Sequence, residues 1–301
     1  MGFTGPFDGN GYLISNLTIG SSSTPKTGGI QTQAGLFGAI RYNATLKNIN
    51  VTVDIHTDGV TNVGGLAGYS ESNGTISNCS ADGSISTIGA DTKQVGGLIG
   101  YNSGTNILEC SSNVTVTAET GREIGGLIGY HGAHSYDRLR NISNSIFTGT
   151  VDGGNSYQTG GIAGRSYGNA FIVNSINAGS VTAANGNVGG IVGQIHNNVA
   201  NCFNVGSVSN SGDSSDKVGG IVAFIDSGYV KNCYNAGTVS NSGGAIAGAL
   251  VADVSSYDTA ANLYSDKTVN PSLDPVNITN GTSSYLYNLT TEEMKGAALS
   301  Q

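Results

Sequence analysis

Val63-Gly64-Gly65-Leu66-Ala67-Gly68-Tyr69 is the stretch on which the reading of this chain turns. Its core, Gly-Gly-(Leu/Ile)-x-Gly, returns as Gly96-Gly97-Leu98-Ile99-Gly100, Gly125-Gly126-Leu127-Ile128-Gly129, Gly160-Gly161-Ile162-Ala163-Gly164 and Gly189-Gly190-Ile191-Val192-Gly193. Degenerate copies flank these at Ala34-Gly35-Leu36-Phe37-Gly38, Gly219-Gly220-Ile221-Val222-Ala223 and Gly244-Ala245-Ile246-Ala247-Gly248, and successive copies start 25 to 35 residues apart. A second motif follows in constant phase: an aliphatic residue, any residue, Asn, then Cys or Ser, with a Gly and a Val or Ile soon after. Ile76-Ser77-Asn78-Cys79 precedes Gly83 and Ile85 in this way, and Val230-Lys231-Asn232-Cys233 precedes Gly237 and Val239. One glycine motif is weak evidence. Two motifs locked in phase over eight periods identify a repeat architecture.

A unit of about 30 residues cannot bury its own apolar side chains, so neighbours must stack. β-Branched residues in period-two patches, punctuated by Gly and Asn, give short strands and sharp corners. The expected fold is all-β: a parallel β-helix of about eight to nine coils, right-handed by the crossover rule, with a short C-terminal cap. Stacking puts Asn48, Asn78, Asn144, Asn174, Asn201 and Asn232 one above another at a corner, where Asn tolerates left-handed backbone angles; Glu109 takes that place in one coil and interrupts the ladder. The repeats predict a solenoid over residues 1–252 and an irregular flank or cap over 253–301, which contains Pro271 and Pro275 and opens its last segment with the capping-box pattern Thr290-x-x-Glu293.

Composition narrows the function. The 301 residues hold 48 Gly, no Trp, and only 12 Lys plus Arg against 20 Asp plus Glu, a net charge of −8. A nucleic-acid partner needs a basic stripe that this chain lacks. No run reaches the roughly 18 apolar residues of a membrane span. Met1-Gly2 leads straight into Phe3 with no secretory leader, so targeting and anchoring signals are expected to lie outside this stretch.

The segments Val63–Tyr69 and Ile76-Ser77-Asn78-Cys79 resemble GLUG-motif repeats, found in large bacterial surface proteins and in some immunoglobulin A metalloproteases. Phe7-Asp8-Gly9-Asn10-Gly11-Tyr12 is similar to the usual lead-in to such arrays, and Leu289-Thr290-Thr291-Glu292-Glu293-Met294 to the usual exit. The resemblance implies a β-helical module in a cell-surface or extracellular setting. It does not imply protease activity here, because no His is followed by Glu and the zinc motif His-Glu-x-x-His is absent.

Cys79, Cys110, Cys202 and Cys233 share one phase of the second motif, with Ser145 and Ser175 in the same slot. They read either as buried thiols in a side-chain stack or as two disulfides, Cys79–Cys110 and Cys202–Cys233; no metal site and no cofactor is expected. The residue after each Gly-Gly-Leu-x-Gly core is Ala39, Tyr69, Tyr101, Tyr130, Arg165, Gln194, Phe224 and Ala249 in turn. Tyr69, Tyr101 and Tyr130 would make an aromatic strip suited to sugar rings, or an ordinary stack covering a corner. The longest repeat carries a loop with His131, His134, Tyr136, Arg138 and Arg140, which with Arg165 and Arg122 would make a basic patch for an anionic glycan, or a solvated variable loop. The expectation is a non-enzymatic, monomeric adhesin-like or stalk module whose partners are host or microbial glycans or surface proteins. The alternatives are a polysaccharide-active β-helix enzyme, which needs two carboxylates across a cleft, and a substrate-positioning module of a larger surface protease.

Overall fold

Each repeat is spent in the same way, shown here by the coil from Gln94 to Ala118. A three-residue strand, Gln94–Gly96, runs into a corner at Gly97-Leu98 and continues as Ile99–Ser103. After a turn at Gly104, Asn106–Leu108 follows; a second corner at Glu109 leads to Ser111–Ala118. In the computed structural model, which describes residues 2–29, 31–133, 139–255, 259–277 and 282–295, these strands pair in parallel with their equivalents above and below. Eight short strands, from Gln33–Ala34 through Gln94–Gly96 to Ile246–Gly248, form one sheet, and the other strands form a second that wraps the remaining sides. The result is a parallel β-solenoid of about eight turns.

The core is made of columns. Leu66, Leu98, Leu127, Ile162, Ile191, Ile221 and Leu250 are fully buried at the glycine corner, and Leu46, Ile76, Ile107, Ile142, Ile172, Val199 and Val230 lie in register on another side. Each such side chain contributes roughly 1.5–3 kcal/mol through burial. The second glycine of the motif is required by close approach. A Cβ on Gly97 would strike the carbonyl oxygen of Gly126, and the same clash recurs between Gly126 and Gly161 and between Gly161 and Gly190.

The asparagine corner is as the motif predicts. Asn48, Asn78, Asn144, Asn174, Asn201 and Asn232 all have φ between 49° and 55°. Asn78 Nδ2 donates to Asn48 Oδ1 at 2.8 Å, and Asn201 and Asn232 donate in the same way to Asn174 and Asn201, each at 3.1 Å. The Cys/Ser residue after each corner residue donates back to the carbonyl two residues earlier: Cys110, after Glu109, to Leu108 at 3.3 Å, Ser145 to Ser143 at 2.9 Å, Cys202 to Ala200 at 3.3 Å. All four cysteines are buried and free. The thiol does what the hydroxyl does at Ser145, which accounts for the Cys/Ser interchange and corrects the disulfide alternative.

Two sequence expectations need correction. The last copy of the glycine motif is Gly248-Ala249-Leu250-Val251-Ala252, because Gly219 pairs with Gly248 and Val222 with Val251. Gly244 is a turn residue with φ of 102°, and Asp253, not Ala249, follows the core in that rung. The boundary at residue 252 does not interrupt the sheet either. Thr259–Asp266 pairs in register with the strand Val222–Asn235, and Thr282–Leu289 pairs with Thr259–Asp266 in turn. Asn262, with φ of 52°, extends the asparagine ladder by donating to Asn232. The capping box holds: Glu293 Oε2 accepts from the Thr290 backbone N–H at 2.6 Å, at the start of the helix Thr291–Lys295.

Glu109 is the exception in the ladder, with φ of 54° and no amide to offer its neighbours. A left-handed conformation costs a residue such as Glu roughly 1–2 kcal/mol, and Asn less. Glu109→Asn should therefore stabilise the solenoid by about 1 kcal/mol, read as a higher urea midpoint with an unchanged slope. A lower midpoint would mean that the corner is held by something other than backbone preference.

Candidate functional site

Two columns face each other across the glycine corner. One is the residue after the core: Ala39, Tyr69, Tyr101, Tyr130, Arg165, Gln194, Phe224 and Asp253, in unbroken register. The other comes from the short sheet: Gln33, Asn62, Gln94, Glu123, Gln158, Asn187 and Lys217. Between them, at the N-terminal end, lies an open groove of about 500 Å³ bordered by Gln33, Asn62, Gln94, Lys93, Tyr69, Tyr101 and the Arg41–Glu71 pair. The groove exists because the chain reverses so tightly at the glycines that two outward rows converge. None of the short-sheet row was picked out from the sequence, although its signal was present as the polar residue two before each glycine pair.

The tyrosines do not form the expected sugar-stacking strip. Tyr69 and Tyr101 lie face to face with centroids 5.2 Å apart and planes 4° from parallel; Tyr101 and Tyr130 do the same at 4.7 Å and 6°. The outer end of the stack is covered by the Arg41 guanidinium, 5.3 Å above the Tyr69 ring, and Arg165 follows Tyr130 in register. Ring faces are consumed by one another and by arginine, and Tyr130 is only 8% exposed. What remains for a ligand is edges and hydroxyls. Burial pushes the Tyr130 phenol up to about 12 and the Tyr101 phenol higher still, so both are neutral hydrogen-bonding groups at any ordinary pH.

A polar cluster follows along the same columns. Glu123 is 2% exposed and accepts from Gln94 Nε2 at 2.7 Å. Desolvation raises its carboxyl above the ordinary range, against the opposing pull of that amide and of Arg122, Arg165 and Lys93. Arg165 Nη1 stands 4.0 Å from Glu123, and its guanidinium lies 5.2 Å over the Tyr167 ring. Its Nη2 is 2.8 Å from His196 Nε2, yet the same nitrogen meets Asp226 at 2.6 Å. One ring nitrogen cannot donate to the carboxylate and accept from arginine together; the shorter contact to the charged group takes the proton. Arg165 Nε has no partner among the described residues. Arg165 is thus a cation with donor capacity to spare. Sequence reasoning placed Arg165 and Gln194 in this column but missed Glu123, His196 and Asp226, whose phase shows only once the register is known.

The basic loop resolves differently. His134, Tyr136 and Arg138 lie outside the described residues. His131 and Arg140, its two ends, belong to rungs. His131 pairs in register between Asn102 and Ser166 and is fully buried, with Nδ1 3.0 Å from Asn102 Nδ2. Arg140 pairs with Ala170, is 6% exposed, and donates to Asn73 Oδ1 at 2.7 Å. Neither presents a surface cation, because the strands on each side of the insertion continue the ladder inward.

The two matches of the family model fall on the coils that carry this groove. Residues 59–86 and 91–117 are GLUG motifs. In curated sequences, 110 residues are 40% identical to halomucin of Haloquadratum walsbyi; the match takes in 36% of this chain and about 1% of halomucin's length. Among solved structures, a Bacteroides ovatus protein assigned provisionally as an immunoglobulin A1 protease superposes with a TM-score of 0.50, covering 91% of this chain and 87% of the other at 19% identity. That likeness establishes the shared fold. The chain thus carries GLUG motifs in those two stretches and is built as a parallel β-solenoid.

Two outcomes test the interior. Burial, the largest effect on His131, depresses it to about 4, below its ordinary 6.5. The unfolded chain then binds the extra proton between pH 6.5 and 4, so stability is full above 6.5 and falls on acidification, by on the order of 3 kcal/mol. His131→Asn, which repeats the Asn102 of the rung before, should flatten the slope of urea midpoint against pH in that window. An unchanged slope would place the titration elsewhere. For the cysteines, a thiol-reactive dye should label none in the native protein and four in denaturant; two or fewer would restore the disulfides.

Proposed function

We propose that this module belongs to an extracellular surface protein, where it serves as a rigid spacer and as a reader of extended glycans through the amide–tyrosine groove. The carrying observation is the pair of facing columns. Side-chain amides and phenol edges repeat along the solenoid axis at about 4.8 Å, the interval of parallel strands, and a polymer laid in the groove would meet them in sequence. Asn62 borders the groove with Gln33 and Gln94, and its side-chain amide belongs to the repeating polar row. The surface setting is supported by the GLUG motifs and by the halomucin match.

A polysaccharide-cleaving role needs two carboxylates about 5–10 Å apart across the scissile bond. Glu123 has the raised carboxyl of an acid catalyst, but Asp226 lies three rungs further along the axis, and the Arg165 guanidinium and the His196 ring stand between the two carboxylates. Side chains that fill the space where a scissile bond would lie favour binding over hydrolysis. A substrate-positioning role within a larger surface protease would use the same groove on a glycosylated substrate.

The test is binding of the chain to an array of neutral plant and mucin-type glycans, beside Tyr101→Phe and Asn62→Ala. Each substitution removes one hydrogen-bonding group and should weaken binding about tenfold. Retained affinity in both variants would move the site off the groove. No binding by the folded wild type would leave the spacer role alone.

A further inference from the structure

Beside the groove, on the outer edge of the short sheet, a second concavity of about 540 Å³ is bordered by Lys93, Arg122, Tyr157, Thr120 and Asn155. The residues that precede Gln94, Glu123 and Gln158 are Lys93, Arg122 and Tyr157, and those three successors are in register. Lysine, arginine and tyrosine therefore occupy one column on consecutive rungs, with the Arg122 backbone N–H donating to the Lys93 carbonyl at 2.8 Å. Arg122 is exposed, Lys93 half-buried, and Tyr157 is 63% exposed with its ring open to solvent. This is the arrangement that the Tyr69–Tyr101–Tyr130 stack lacks: a free aromatic face beside cations.

The column is costly as it stands. Stacking sets like charges directly opposite one another, which destabilises a sheet, and the protein as a whole is acidic. Neither Lys93 nor Arg122 enters an ion pair among the described residues. Buried Glu123 offsets part of the repulsion but is held by Gln94 on the groove side. Asp91 and Glu119, on the same turns, are exposed. Arginine and lysine side by side are suited to a sulfate or carboxylate, and the hydroxyl of Thr120 and the amide of Asn155 lie at the same mouth.

We propose that Lys93, Arg122 and Tyr157 form a site for an acidic sugar, the two cations holding its anionic group and the tyrosine ring stacking on its apolar face. The site goes beyond the groove; Lys93 borders both, but the groove is tested with neutral glycans and with variants at Tyr101 and Asn62, so the two can fail separately. The test is calorimetric titration with three probes: a sulfated dextran oligosaccharide, its unsulfated parent, and an oligogalacturonate. The charged probes should bind and the unsulfated parent should not. Arg122→Ala and Tyr157→Ala should each weaken binding about tenfold, and Lys93→Ala/Arg122→Ala together should abolish it, each variant keeping the wild-type circular dichroism. Lys26→Ala, which removes the same charge from an exposed strand at the N-terminal end, should leave affinity unchanged. Binding of the sulfated but not the carboxylated probe, or the reverse, identifies the anionic group. Equal loss in Lys26→Ala, full affinity in the double variant, or no binding of either charged probe would overturn the site. Neutral-glycan binding by the groove stands or falls independently of all three.

Discussion

In-register parallel pairing places every side chain directly on its own equivalent, one strand interval away, and the composition of the chain follows from that constraint. Aliphatic groups stack at no cost. Amides stack with gain, since each has a donor for the neighbour below and an acceptor for the neighbour above; this is why asparagine forms both the exposed corner ladder and a second ladder inside. Asn177, Asn204 and Asn235 are fully buried and joined by Nδ2-to-Oδ1 bonds of 2.7 Å, with backbone groups of the following Gly completing their partners. Like charges are the one class that stacks badly, and only 11% of residues are charged. A column that breaks this economy calls for a cause outside the fold, and the Lys93–Arg122 pair is such a column.

The same constraint decides what aromatic residues can do. A tyrosine repeated in phase stacks on its neighbours before it can stack on a ligand, so three consecutive tyrosines give a rigid wall with its faces spent. Tyr157 follows Lys93 and Arg122 rather than other tyrosines, and its ring stays open. Regularity builds structure; irregularity exposes chemistry. Arg165 illustrates the second half. It follows the tyrosine wall and meets Glu123 only at 4.0 Å, and its buried Nε has no partner among the described residues.

Periodicity made the solenoid, the asparagine corner with its Glu109 break, and the Cys/Ser slot legible before any coordinates. What stayed hidden depended on register across rungs of unequal length. Gly244–Gly248 matches the glycine motif by composition, yet pairing places Gly248 where a motif begins, because hydrogen bonding and not local likeness decides which residue lies over Gly219. The C-terminal strands were lost to sequence for a related reason: Thr259–Asp266 continues one sheet after the short sheet has ended. His131 and Arg140 read as loop residues because they flank an insertion, and only the ladder shows that both turn inward. Glu123 and Gln94 were missed because a polar residue before a glycine pair looks like a turn, when it is the floor of a groove.

Specificity in such a molecule has to reside where columns change. A perfect column offers the same group at every rung and cannot fix a polymer's position along the axis, since sliding by one rung restores every contact. In the facing columns the amide and phenol stretch meets its first charged members at Glu123 and Arg165, and charge returns at Lys217 and Asp253, 3.7 Å apart, with His196 and Asp226 paired beside them. A ligand laid along the axis would meet charged groups at particular rungs and not at others, and the Lys93–Arg122–Tyr157 column stands beside the first of them. Register along a repetitive scaffold is thereby set by its least repetitive side chains.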